Sequence, residues 1–167
     1  MKKRMNTYKN KKSKLFNWKV LLLSLIVVYA VAYVGSIFTS SSTGSLWYQS
    51  IKPSITPPNW VFPIVWNILF FLIALSLYFS WTNSEKKEKP KIALVFGVNL
   101  FLNILWSLFY FGMRNLELAF FEIILLWLSI GLMIFSVWKT KKLAAYLLFP
   151  YLIWVSFALL LNYLSVF

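Results

Sequence analysis

The sequence predicts an all-α integral membrane protein: a bundle of five transmembrane helices, N-terminus cytoplasmic and C-terminus outside. Three observations carry this. Of 167 residues, 60% are hydrophobic and 13% charged, against about 25% charged in a soluble domain. The apolar residues gather in five runs, each long enough at about 1.5 Å per residue to cross a hydrocarbon core of about 30 Å. The net charge of +13 is confined to short segments between the runs, the pattern of membrane topology rather than of nucleic-acid binding.

Residues 1–14, MKKRMNTYKNKKSK, form a basic tail with too little apolar content to fold; residues 15–167 form the membrane domain. The first run, Leu15 to Phe38, exceeds the 7–15 residues of a signal-peptide core and is a first transmembrane helix with Trp18 at the interface. TSSSTGS, 39–45, breaks it. The stretch WYQSIKPSITPPNWVFPIVW, 47–66, is too rich in aromatics and proline for a plain connector. Its prolines fix φ and remove donors, and its rings are flat and amphipathic. It predicts a lid from Trp47 to Pro58 over a pocket formed by the helices.

Helix two is expected over about 60–81, with Asn59 capping it and Trp60 and Trp81 at the two interfaces. NSEKKEKPK, 83–91, is a polar hinge; helix three covers about 92–111 and GMRN, 112–115, is a tight turn. Helix four covers about 116–138, KTKK is a basic loop, and helix five covers about 143–166, with Pro150 inviting a kink.

Charge then tests the topology. Lys2, Lys3, Arg4, Lys9, Lys11, Lys12, Lys14 and Lys19 share a side with Lys86, Lys87, Lys89, Lys91, Lys139, Lys141 and Lys142, while the other side holds only Lys52 and Arg114. The positive-inside rule puts the first group in the cytoplasm and the lid outside, in a multi-pass protein of the cell membrane.

With no Cys and no His, disulfides, thiolate nucleophiles, Cys/His metal sites and a histidine general base are excluded; no metal and no required cofactor is expected. The chemistry left lies in polar groups at membrane depth. Asn99, Asn103, Trp106, Ser107 and Tyr110 fall on one stripe of helix three. Glu122, Trp66, Phe70, Trp154, Ala158 and Asn162 lie on other helices, mostly in the same half of the bundle. Such groups face a bundle interior or a cavity. Two readings stand open: Asn99 and Asn103 join helices, or with Glu122 and the tryptophans they line a pocket for a large flat ligand with polar edges.

At this point the residues resemble the TspO/MBR family, the tryptophan-rich sensory proteins and translocator proteins (peripheral benzodiazepine receptors). Trp47-Tyr48, Lys52-Pro53-Ser54, Pro57-Pro58 and Trp66 with Leu69 are similar to that family's first loop and second helix. Asn99-Leu100, Leu102-Asn103, Trp106-Ser107 and Phe109 resemble its third helix. Leu147-Leu148, Pro150-Tyr151-Leu152, Trp154, Phe157-Ala158 and Leu161-Asn162 resemble its fifth.

The resemblance implies a five-helix homodimer that binds porphyrins such as protoporphyrin IX under the first loop. It implies ligand contacts at Tyr48, Pro57, Asn103, Trp106, Ser107 and Ala158. It also implies light-dependent porphyrin degradation in some bacterial members, with Trp66 and Trp154 as the reactive pair. Departures are Asn99 for a common Gln, Phe70 for a common Tyr, and Ile55 for the loop Trp. The sterol motif lacks its basic residue after Tyr163. The expected function is therefore tetrapyrrole binding, with sensing, sequestration or light-dependent degradation, or alternatively transport of porphyrin or another apolar solute. The expected partners are the lipid bilayer, that ligand and a second copy of the chain.

Overall fold

The computed structural model describes residues 16–167, so the basic tail expected over 1–14 lies outside the described residues. Among those described, every regular element is helical: α1 (Trp18–Ser40), α2 (Leu46–Ile51), α3 (Val61–Asn83), α4 (Lys89–Ser107), α5 (Leu116–Trp138), α6 (Lys142–Tyr146) and α7 (Phe149–Val166). A π-helical turn, Leu108–Gly112, prolongs α4. Five stretches are long and apolar enough to cross a membrane: α1, α3, α4 with its π turn, α5, and α6 with α7 as one span. This is a multi-pass membrane protein.

Local chemistry sets the starts. Asn17 caps α1 by accepting from the Val20 N–H at 3.2 Å, and Asn115 caps α5 by accepting from the Leu118 N–H at 3.0 Å. Pro90 occupies the first turn of α4, where its missing N–H costs nothing. The expected break over 39–45 is shorter than its composition implies. α1 runs on to Ser40, and Ser45 already caps α2, accepting from the Tyr48 N–H at 3.2 Å. The cap expected from Asn59 does not form. The amide of Asn59 instead donates to the Thr43 carbonyl at 3.0 Å, pinning the lid's far end to the α1–α2 turn, and α3 begins without a side-chain cap.

The fifth span is interrupted next to Pro150, as the proline predicts. α6 ends at Tyr146, Leu147 and Leu148 form a turn, and α7 restarts at Phe149 with Pro150 in its first turn. A proline there is pre-set for the helix, so the discontinuity falls before the proline.

α4 packs on α5 and α1; α3 packs on α1, and α5 on α7. Ile73, Phe96, Ile130, Met133, Val155 and Tyr151 form the buried centre. At one end lie Lys19, the α3–α4 loop and the α5–α6 loop; at the other lie α2, Lys52 and Arg114.

Candidate ligand-binding cavity

α2 lies across the bundle end that carries few basic residues. Pro53 stops it, because a residue before proline is driven to extended backbone, and Lys52 has ψ 132°. Tyr48 points down and is 6% exposed, its ring 5.7 Å from that of Phe111. Trp47 meets Tyr110 at 6.2 Å and carries the Arg114 guanidinium 5.1 Å over its face. Arg114 reaches it from a left-handed conformation, φ 53°, in the turn before α5.

The π turn makes this docking possible. The Met113 N–H donates to the Leu108 carbonyl, five residues back, at 2.7 Å. The wider turn lets consecutive side chains, Tyr110 and Phe111, both reach the lid. Gly112 fits closely there: a Cβ would sit 3.1 Å from side-chain carbons of both Phe38 and Leu108, which would have to shift.

Beneath the lid is a cavity of about 590 Å³, within the range of about 300–1,000 Å³ usual for small-molecule sites. Tyr48, Pro53, Thr56 and Asn59 roof it. Phe62, Trp66 and Phe70 form the α3 wall, Asn103, Trp106 and Ser107 the α4 wall, and Trp154, Ala158 and Asn162 the α7 wall. Between α1 and α3 the lining reaches the outer surface of the bundle. Tyr33 there is 70% exposed, and the Tyr29 hydroxyl bridges to the Asn67 carbonyl at 3.3 Å.

Most polar groups in the walls are committed. The Asn103 amide donates to the Tyr151 hydroxyl at 3.2 Å, and the Trp106 indole N–H to Asn162 Oδ1 at 3.1 Å. Two are not. Trp154 Nε1 and Thr56 Oγ1 are buried with no hydrogen-bond partner among the described residues. Buried polar atoms are rarely left so, and both belong to residues of the cavity lining.

A family model described as the TspO/MBR family matches residues 23–166. The chain belongs to the TspO/MBR family. It is 38% identical over 144 residues to the tryptophan-rich protein TspO of Archaeoglobus fulgidus, covering 86% of this chain and 92% of that one. It is 37% identical over 150 residues to the Chlorobaculum tepidum protein of the same name, covering 88% and 95%. To the human translocator protein it is 34% identical over 136 residues, covering 78% and 79%.

Of the residues that family resemblance and residue chemistry single out, Tyr48, Trp66, Asn103, Trp106, Ser107, Trp154 and Ala158 meet around one cavity. Pro57, Asn99 and Glu122 do not line it. Pro57 shapes the lid's descent, while its neighbour Thr56 reaches the cavity. Asn99 is fully buried, its amide donating to Ser129 Oγ at 2.8 Å, so it joins α4 to α5. Asn103 also joins helices, α4 to α7 through Tyr151, but unlike Asn99 it fronts the cavity as well. Ile55 is 51% exposed and stands clear of the lining. Thr56, Asn59 and Phe62 are cavity residues that sequence reasoning missed. Phe62 was detectable, one turn before Trp66 on the same face; its ring stands edge-on to Trp154 at 5.8 Å.

Both carboxyl oxygens of Glu122 are buried without a donor among the described residues. A buried polar group left unsatisfied costs about 1–3 kcal/mol. Glu122→Leu is therefore expected to raise Tm, by about 2–4 °C per kcal/mol recovered, with cavity ligand affinity unchanged. A fall in Tm in a detergent melt would count against this.

The lid carries its own pH dependence. Burial, then the neighbouring Tyr110, push the Tyr48 hydroxyl from its ordinary 10.0 up to about 12. Freed from its site it ionises near 10, so its contribution to docking is complete below pH 10 and lost as pH rises through about 12. Phenolate absorbance and tryptophan emission should report lid release in that window, and Tyr48→Phe should remove it. An unchanged transition in Tyr48→Phe would assign the release to another group.

Proposed function

We propose that this protein binds a tetrapyrrole such as protoporphyrin IX in the cavity under α2, for sensing, sequestration or light-dependent degradation of the pigment. The observation that carries the proposal is the pairing of indole walls with unmet hydrogen bonds. Trp66 and Trp154 offer flat apolar faces, and Trp154 Nε1 and Thr56 Oγ1 stand unpaired beside them. A planar aromatic ligand suits the indole faces directly, and its polar edges would meet the two unpaired atoms once the groups covering them shift. The segregation of basic residues supports a cytoplasmic N-terminus and a lid facing outward from the plasma membrane. Relatives named tryptophan-rich sensory protein, in Cereibacter sphaeroides, and translocator protein, in Homo sapiens, are in keeping with ligand handling.

In light, a bound porphyrin in its excited state would lie against two oxidisable indoles, with oxygen as the oxidant. Transport is the second reading. The observation favouring it is the side of the cavity between α1 and α3, where exposed Tyr33 and Asn67 contribute to the lining.

Titration of purified protein with protoporphyrin IX, in darkness and under illumination, tests all three. Saturable tryptophan quenching in the dark establishes binding, and its absence overturns the proposal. Pigment loss only in light adds degradation. Uptake into protein-containing vesicles, without pigment loss, favours transport.

A further inference from the structure

A second concavity of about 220 Å³ lies at the opposite, basic end, between α1, α3 and α4. Its walls are Val20, Leu23, Val27, Leu77, Phe96 and Leu100, with Trp81 closing the end nearest the loops. Ala93 and Gly97, one turn apart on α4, hollow it out. A Cβ built on Gly97 would meet nothing within 4 Å. The one hydroxyl present, Ser24, is spent on its own helix, donating to the Val20 carbonyl at 2.9 Å. The trough is therefore an apolar slot that asks for no hydrogen bond along its length.

Its mouth is different. Lys89 Nζ sits 5.1 Å from the Trp81 ring centroid, so an ammonium group stands over the residue that ends the trough. Lys19, which precedes the wall residue Val20, holds its Nζ 5.9 Å from the Trp18 ring centroid, beside the lining rather than in it. Neither lysine is in an ion pair among the described residues; the pair found there joins Lys87 to Glu85 at 3.0 Å. From Val20 to Val27, and from Ala93 to Leu100, the trough descends about 10 Å at about 1.5 Å per residue. That is most of one leaflet of a core about 30 Å thick.

We propose that this groove is a binding site for one anionic glycerophospholipid. An acyl chain lies along Gly97 and the phosphate sits at Lys89, with Lys19 at the flank of the mouth. Charge decides for this occupant. A zwitterionic lipid brings its own cation to two unpaired lysines. A second copy of the chain docking here about a two-fold axis would bring its Lys19 and Lys89 to the same level, like charge against like. The basic lining of a juxtamembrane surface contributes about 1 kcal/mol per lysine toward anionic headgroups, and the slot adds chain burial that a flat surface lacks. The site is independent of the cavity under the lid.

Native mass spectrometry of the detergent-solubilised protein tests this, with dioleoyl phosphatidylglycerol and dioleoyl phosphatidylcholine as probes. One phosphatidylglycerol is expected to be retained under conditions that strip phosphatidylcholine, and glycerol phosphate without chains should not compete. Lys19→Gln and Lys89→Gln should each weaken retention about fivefold. Gly97→Leu should abolish it by filling the slot. Brominated phosphatidylglycerol should quench wild-type emission more than that of Trp81→Phe. Protoporphyrin binding, which uses none of these residues, serves as the folding control. Equal retention of both lipids, or lysine variants that hold phosphatidylglycerol as wild type does, overturns the site. Loss of self-association in Gly97→Leu with lipid retention intact also overturns it, and assigns the groove to a copy–copy contact.

Discussion

Trp66→Phe combined with Trp154→Phe is expected to weaken protoporphyrin IX binding at least about tenfold while leaving the fold intact. Phenylalanine keeps a ring at each position, so the packing of Trp66 against Phe70 at 5.4 Å and of Phe62 against Trp154 at 5.8 Å survives in large part. What goes is the second ring and the N–H of each indole. Stacked aromatic pairs contribute about 0.5–1.5 kcal/mol beyond area, and a hydrogen bond about as much. A total of about 1.4 kcal/mol already gives a factor of ten in Kd.

If the illuminated protein destroys porphyrin, the double variant should also destroy it more slowly than residual binding explains. Fluorescence titration, with a parallel melt to show retained Tm, gives the answer. An unchanged Kd would remove stacking from the account of the cavity, whatever else the cavity holds.

The five spans were legible because hydropathy and charge are averages over about 20 residues, and averaging forgives local detail. The site was legible where side-chain type guides behaviour: an asparagine at membrane depth finds partners in protein or a cavity rather than in lipid. It was not legible where register between helices decides. Asn99 and Asn103 share a stripe one turn apart, yet Ser129 on α5 claims the first, and the second, bonded to Tyr151, fronts the cavity. The π turn escaped because LFYFG has nothing in its composition to set it apart from an α-helix. The widening goes with the contacts of Tyr110 with Trp47 and of Phe111 with Tyr48 across to α2. Thr56 escaped for a related reason. Between Ile55 and Pro57 it reads as a turn residue, and only the descent of the chain from Pro53 to Asn59 brings its hydroxyl under the roof.

The break before Pro150 makes the second large prediction. In a continuous helix the Ala144 carbonyl would accept from the Leu148 N–H. Here that N–H turns to the Ala145 carbonyl at 3.0 Å, and the proline supplies none. The Ala144 carbonyl is left over, fully buried, where a bilayer offers no water. Ser76 on α3 meets it, its Oγ donating at 2.8 Å. One hydroxyl thus holds the broken span against its neighbour. Ser76→Ala should cost about 1–3 kcal/mol and lower Tm by about 2–4 °C per kcal/mol. Amide exchange at Leu147 and Leu148 should quicken ahead of the rest of α7. Ser80→Ala is the control. Its Oγ donates at 2.7 Å to the Ser76 carbonyl within the same helix, so its loss orphans nothing across the interface and should change Tm little. Equal losses from the two variants would mean that the hydroxyl at 76 fills space rather than closing the break.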